Sequence, residues 1–126
     1  MQRIAQVARL RPELREEYLA LHREVWADVE AALRAAHIRN YSIFLHGDML
    51  FAYYEYHGDD FAADLETIKA DPETRRWWTF TDPCQVPWPD SADGSRWSDL
   101  PEIWHLSDEP MEPIGGTAPR RPTEGR

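Results

Sequence analysis

From residue 2 to residue 36 the apolar pattern changes its period once, and that change constrains the fold more than any other feature. Ile4, Gln6, Ala8 and Leu10 alternate with Ala5, Val7 and Arg9, and both sets are partly apolar. That predicts a sheet-interior strand over about 2–10. Apolar residues then recur at Leu14, Tyr18, Leu21, Val25, Val29, Ala32 and Leu33. This is helical spacing, and with Pro12 in the first turn and Glu13, Glu16 and Glu17 near the start it predicts one long amphipathic helix over 12–36.

The pattern then returns to strands. NYSIFL (40–45) and 49–56 flank His46-Gly47-Asp48, turn chemistry that predicts a hairpin. Along the second of these strands Tyr54 and Tyr56 share a side with Ala52, and Tyr53 takes the other. Asp59 or Asp60 can cap a helix running to Ala70, and Asp71-Pro72-Glu73 restarts a short helix through Trp78. Pro83, Pro87 and Pro89 break the chain, and PEIWHL (101–106) reads as a last strand. The expected fold class is α+β, ferredoxin-like, β-α-β-β-α-β with one antiparallel sheet. Helices on one face leave the other in need of a cover, so a homodimer with a dimeric α/β barrel-type assembly is expected.

Composition bounds the function. The chain has 126 residues, with 14 Lys plus Arg against 23 Asp plus Glu, a net charge of −9. A nucleic-acid or anionic-membrane partner is therefore not expected. The single cysteine, Cys84, excludes an internal disulfide and a multi-cysteine zinc site. No signal-peptide pattern opens the chain and no run approaches a membrane span, so a cytoplasmic protein is expected. Residues 107–126 hold four prolines, three glycines and almost no large apolar side chain. The expected division is a folded domain over 1–106 and a disordered or extended tail over 107–126.

Few residues stand out as chemical. Tyr18 and His22 lie four apart, hence on one helix face. They fit a proton-handling histidine beside a phenol, but spacing alone favours a satisfied core histidine with a core tyrosine. Trp77 and Trp78 are adjacent, so one indole can pack while the other faces a cavity, and an indole is a platform for a sugar's C–H face. Core filling is the plainer alternative for each. Tyr41 could bond a ligand from the sheet surface or point to solvent. His22, His37, His46, His57 and His105 are scattered without metal-ligand spacing, so no metal is expected.

Taken together, EEYLALHREVW (16–26), RNYSIFL (39–45), LFAYYEY (50–56), TRRWWTF (74–80) and LPEIWHL (100–106) make residues 1–106 resemble the L-rhamnose mutarotases. The Tyr-x-x-x-His, Asn-Tyr and Arg-Trp-Trp runs are the specific parts. The resemblance implies a dimeric ferredoxin-like subunit. It also implies interconversion of the α and β anomers of L-rhamnose, or a related neutral 6-deoxy sugar, without cofactor or metal. It assigns His22 as the catalytic proton donor and Tyr18, Tyr41, Trp77 and Trp78 as substrate contacts. The segment 86–99 departs from the family's loop and adds Trp88 and Trp97. Two other readings share the architecture: a small cofactor-independent monooxygenase, and a non-catalytic small-molecule-binding dimer.

Overall fold

The computed structural model describes residues 1–89 and 95–108. The strands are β1 (Gln2–Leu10), β2 (Ile38–His46), β3 (Met49–Tyr56), β4 (Gln85–Val86) and β5 (Ser98–Asp99). The helices are α1 (Arg15–Arg23), α2 (Ala27–Ala35), α3 (Phe61–Ala70) and α4 (Pro72–Thr81). The sheet is antiparallel in the order β2-β3-β1-β4, with β5 also on β1. It is the α+β fold that the sequence predicts. Residues 109–126, most of the expected tail, lie outside the described residues.

The caps follow local chemistry. The Asp60 side chain accepts from Ala63 N at 3.1 Å and opens α3, as Asp71 does for α4 from Thr74 N at 2.9 Å. On β3 every second residue is buried: Leu50, Ala52, Tyr54 and Tyr56. They face the helices. Ala8, Leu10, Tyr18, Leu50 and Cys84 form one core cluster, and Ala36, Ile38, Tyr54, Tyr56 and Ile68 a second.

Two expectations need correction. The single helix over 12–36 is broken: a 3-10 turn over Pro12–Leu14 precedes α1, and the chain is extended at Trp26 (φ −62, ψ 135) before α2. The apolar periodicity runs through the break, so it carried no signal. The break lets the Trp26 ring meet Trp77 and Phe80 edge-on, 5.2 and 5.7 Å away. The last strand lies earlier than 101–106. β5 pairs Gln6 with Asp99 and Val7 with Ser98, and Leu100 N donates to Ala5 O at 2.8 Å. Continued, that register sets Glu102 beside Arg3, where the two form an ion pair at 2.8 Å. It sets Ile103 beside Gln2, the first residue of β1, and Trp104 beside Met1, outside that strand, so residues 104–106 have no ladder to join. Ile103 is 94% and Trp104 74% exposed. Among the described residues no helix is long and apolar enough to cross a membrane.

Candidate active site

Between the inner face of the sheet and the helices lies an open cleft of about 1030 Å³. Ligand pockets commonly hold roughly 300–1,000 Å³, so it is ample for a small molecule. All five residues singled out from sequence line it: Tyr18 and His22 from α1, Tyr41 from β2, Trp77 and Trp78 from α4.

The four-residue spacing on α1 stacks the Tyr18 and His22 rings 4.3 Å apart. His22 Nδ1 lies 2.8 Å from the Tyr18 carbonyl oxygen. A carbonyl only accepts, so Nδ1 carries the proton and donates. Neutral His22 therefore keeps a bare Nε2, and no other side chain among the described residues bonds it. Trp77 meets the His22 ring edge-on at 5.4 Å and is itself backed by Trp26, over which the Arg76 guanidinium sits at 5.1 Å. Trp77 is buried, whereas Trp78 is half-buried and packs on the Tyr54–Ile68 cluster. The two neighbours point differently, as adjacent helical positions must.

The phenols are desolvated. Burial is the largest influence on each of Tyr18, Tyr41 and Tyr54, and it pushes each up to about 12. Gln85 Nε2 donates to Tyr18 Oη at 3.3 Å, which partly offsets that burial and leaves the Tyr18 O–H able to donate elsewhere. Tyr41 keeps 41% of its surface, and its ring leans on Tyr54 at 5.1 Å. All three phenols thus stay protonated donors near neutral pH.

Sequence reasoning missed several lining residues. Tyr54 reads as core packing, but it lines the cleft beside Tyr41; small Ala52 on its side of the strand was the available signal. Gln85 lies between Pro83 and Pro87 and carried none. Gln6 lines the cleft from β1 and donates to Asp99 Oδ1 at 2.7 Å. Arg96 and Trp97 line its mouth, and Trp97 also packs on the core around Leu10 and Tyr18. Cys84 is a buried thiol that desolvation pushes up, with Sγ 3.6 Å from the Phe80 carbonyl, the marks of an inert core residue.

A family model described as L-rhamnose mutarotase matches residues 3–106. The chain belongs to the L-rhamnose mutarotase family. An L-rhamnose mutarotase of Opitutus terrae is 37% identical over 92 residues, spanning 71% of this chain and 84% of that protein. One of Listeria monocytogenes is 33% identical and spans 85% of this chain and all of the relative. Among solved structures, an L-rhamnose mutarotase from Formosa agariphila superposes with a TM-score of 0.66 at 22% identity, over 85% of this chain and all of that one. Tetracenomycin F2 cyclase from Streptomyces glaucescens, a type-II polyketide cyclase, follows at 0.59 and 18%, over the same shares of each chain. These two likenesses speak for the fold. The mutarotase family membership rests on the sequence match.

Proposed function

We propose that this chain interconverts the α and β anomers of L-rhamnose, with His22 as the acid–base group. The observation that carries the reading is a histidine with one nitrogen tied to its own helix, set among phenols and indoles in one cleft of a mutarotase-family chain. Imidazolium Nε2–H protonates the ring oxygen as the C1–O5 bond breaks, while the anomeric hydroxyl gives its proton to water and becomes the aldehyde. Rotation about C1–C2 and the reverse transfers close the other anomer. The burial that raises Tyr18 argues against it as the base and favours water entering the open cleft. Tyr18 and Tyr41 then serve as hydrogen-bond partners of sugar hydroxyls, and Trp77 and Trp78 as surfaces for the C–H face and the methyl group. A positioned acid–base group contributes roughly 10²–10⁴-fold, which is ample for a reaction that already proceeds in water.

The test is proton magnetization-transfer NMR with L-rhamnose at anomeric equilibrium. Inversion of one anomeric signal passes to the other at an enzyme-dependent rate that His22→Ala removes. No transfer from the folded wild-type chain would overturn the reading. L-Fucose in the same assay sets the tolerance for other 6-deoxy sugars.

The working form in this proposal is a cytoplasmic homodimer. Exposed Ile103, Trp104 and Leu106, at and beyond the end of β1, are apolar area that a second copy would cover. The single buried thiol suits a reducing compartment. Residues 1–106 form the catalytic domain and 107–126 an appendage to it. Sedimentation of the full chain as a monomer at micromolar concentration would remove the dimer.

A further inference from the structure

The ladder between β2 and β3 slips once, between Arg39 and Ser42. Arg39 pairs with Glu55 and Ser42 with Tyr53, so two residues, Asn40 and Tyr41, stand opposite the single residue Tyr54. This is a β-bulge. Its consequence follows from the period of two. Ile38 faces inward with Tyr56, and Arg39 outward with Glu55. In an unbroken register Asn40 would face inward and Tyr41 outward, opposite Tyr53. The extra residue turns Tyr41 inward, against Tyr54 and into the cleft.

Asn40 supplies what the bulge needs. Its φ is +52, a left-handed conformation that Asn tolerates better than other side chains with a Cβ. Its Nδ2 donates to Glu55 Oε1 at 2.8 Å. Glu55 is braced in turn: it accepts from the Tyr53 hydroxyl at 2.9 Å and meets His57 Nε2 at 3.1 Å. Glu55, Tyr53 and His57 lie away from the cleft, Asn40 itself borders it, and the clamp touches neither His22 nor the tryptophans.

We propose that Asn40, clamped by Glu55, is a positioning residue of the site: it holds the bulge that aims the Tyr41 hydroxyl at the bound sugar. The inference rests on the reading of Tyr41 as a substrate contact. It deepens the Asn-Tyr pair from one contact residue into a device of two, one aiming and one binding.

The test uses the full chain carrying 3-fluorotyrosine at its five tyrosines, with the Tyr41 fluorine signal assigned by its loss in Tyr41→Phe. In Asn40→Ala the Tyr41 signal moves toward its solvent position and the Tyr18 signal stays. KM for L-rhamnose rises about 3- to 10-fold with kcat within about twofold, the scale of one lost neutral hydrogen bond. Asn40→Gly, which keeps the left-handed backbone, restores most of the Tyr41 signal position and most of KM. The Asn40→Ala/Tyr41→Phe double variant is no worse than the worse single one, because both remove the same contact. Should Asn40→Ala not fold, Asn40→Asp serves: it keeps the backbone tolerance, loses the donor and sets a carboxylate against Glu55, so the Tyr41 signal moves as for alanine. An unmoved Tyr41 signal in the folded variant, or losses that multiply in the double variant, overturns the proposal. A moved signal in a chain that never exchanges rhamnose sustains the bulge mechanism and sinks the functional reading instead.

Discussion

The two faces of β3 differ more than any two elements of the molecule, although they alternate residue by residue. On the inner face Leu50, Ala52, Tyr54 and Tyr56 are buried against helices, and desolvation pushes the Tyr54 phenol up to about 12. One position away, on the outer face, Glu55 is held at about 2, below its ordinary 4.5. The causes are the hydrogen bonds from Asn40, His57 and Tyr53, in that order. Burial governs the Tyr54 phenol, and hydrogen bonding the Glu55 carboxylate. The cleft phenols therefore stay neutral, and the outer face carries a brace that stays charged.

The largest effect that would break this contrast lies at the inner cleft. His22→Ala is expected to lower the anomer-exchange rate by roughly 10²–10⁴-fold with the circular dichroism spectrum unchanged. Next comes packing. Leu50→Ala on the inner face should cost about 2–5 kcal/mol in denaturant unfolding. Phe44→Ala on the outer face, 57% exposed, should stay within about 0.5 kcal/mol in a single subunit. A clearly larger loss for Phe44→Ala, growing with protein concentration, would mean that a second copy covers that face.

The smallest effects are in pH. The Glu55 carboxylate is held low in the folded chain, so its contribution to stability is fully present above about 4.5 and is lost as pH falls toward about 2. Glu55→Gln should flatten that part of the acid-unfolding profile. The cleft phenols run the other way. Tyr18, Tyr41 and Tyr54 favour the neutral form when folded, so their contribution is present below pH 10 and is lost as pH rises from 10 to about 12. A spectrophotometric titration should show them ionising later than a free phenol. Ionisation of all five tyrosines near 10 in the folded chain would remove the desolvation that defines the inner face.

Much of this was legible in the residues. The strand at 2–10, the hairpin and the helix capped by Asp60 emerge where local chemistry expected them, since period, turn residues and caps are short-range signals. His22, Tyr18, Tyr41, Trp77 and Trp78 are all found on one cleft. The interruption at Trp26 was hidden because the apolar spacing continues across it, and the aromatic contacts that explain it come from α4, some fifty residues on. The shifted last strand was hidden because a strand's extent depends on where its neighbour ends. Gln85 was hidden because a buried amide is informative only beside the phenol it bonds.

The sequence by itself determined the class of fold, the order of its elements, the family and the types of residue at the site. Each of those is written in spacing and in local conformational preference. Tertiary structure decided which way they face. The one-residue slip at Asn40 turns Tyr41 from the outer side of the sheet to the inner, and the helix carbonyl at Tyr18 chooses the nitrogen of His22 that stays bare. Both depend on pairing between atoms that period and composition do not specify.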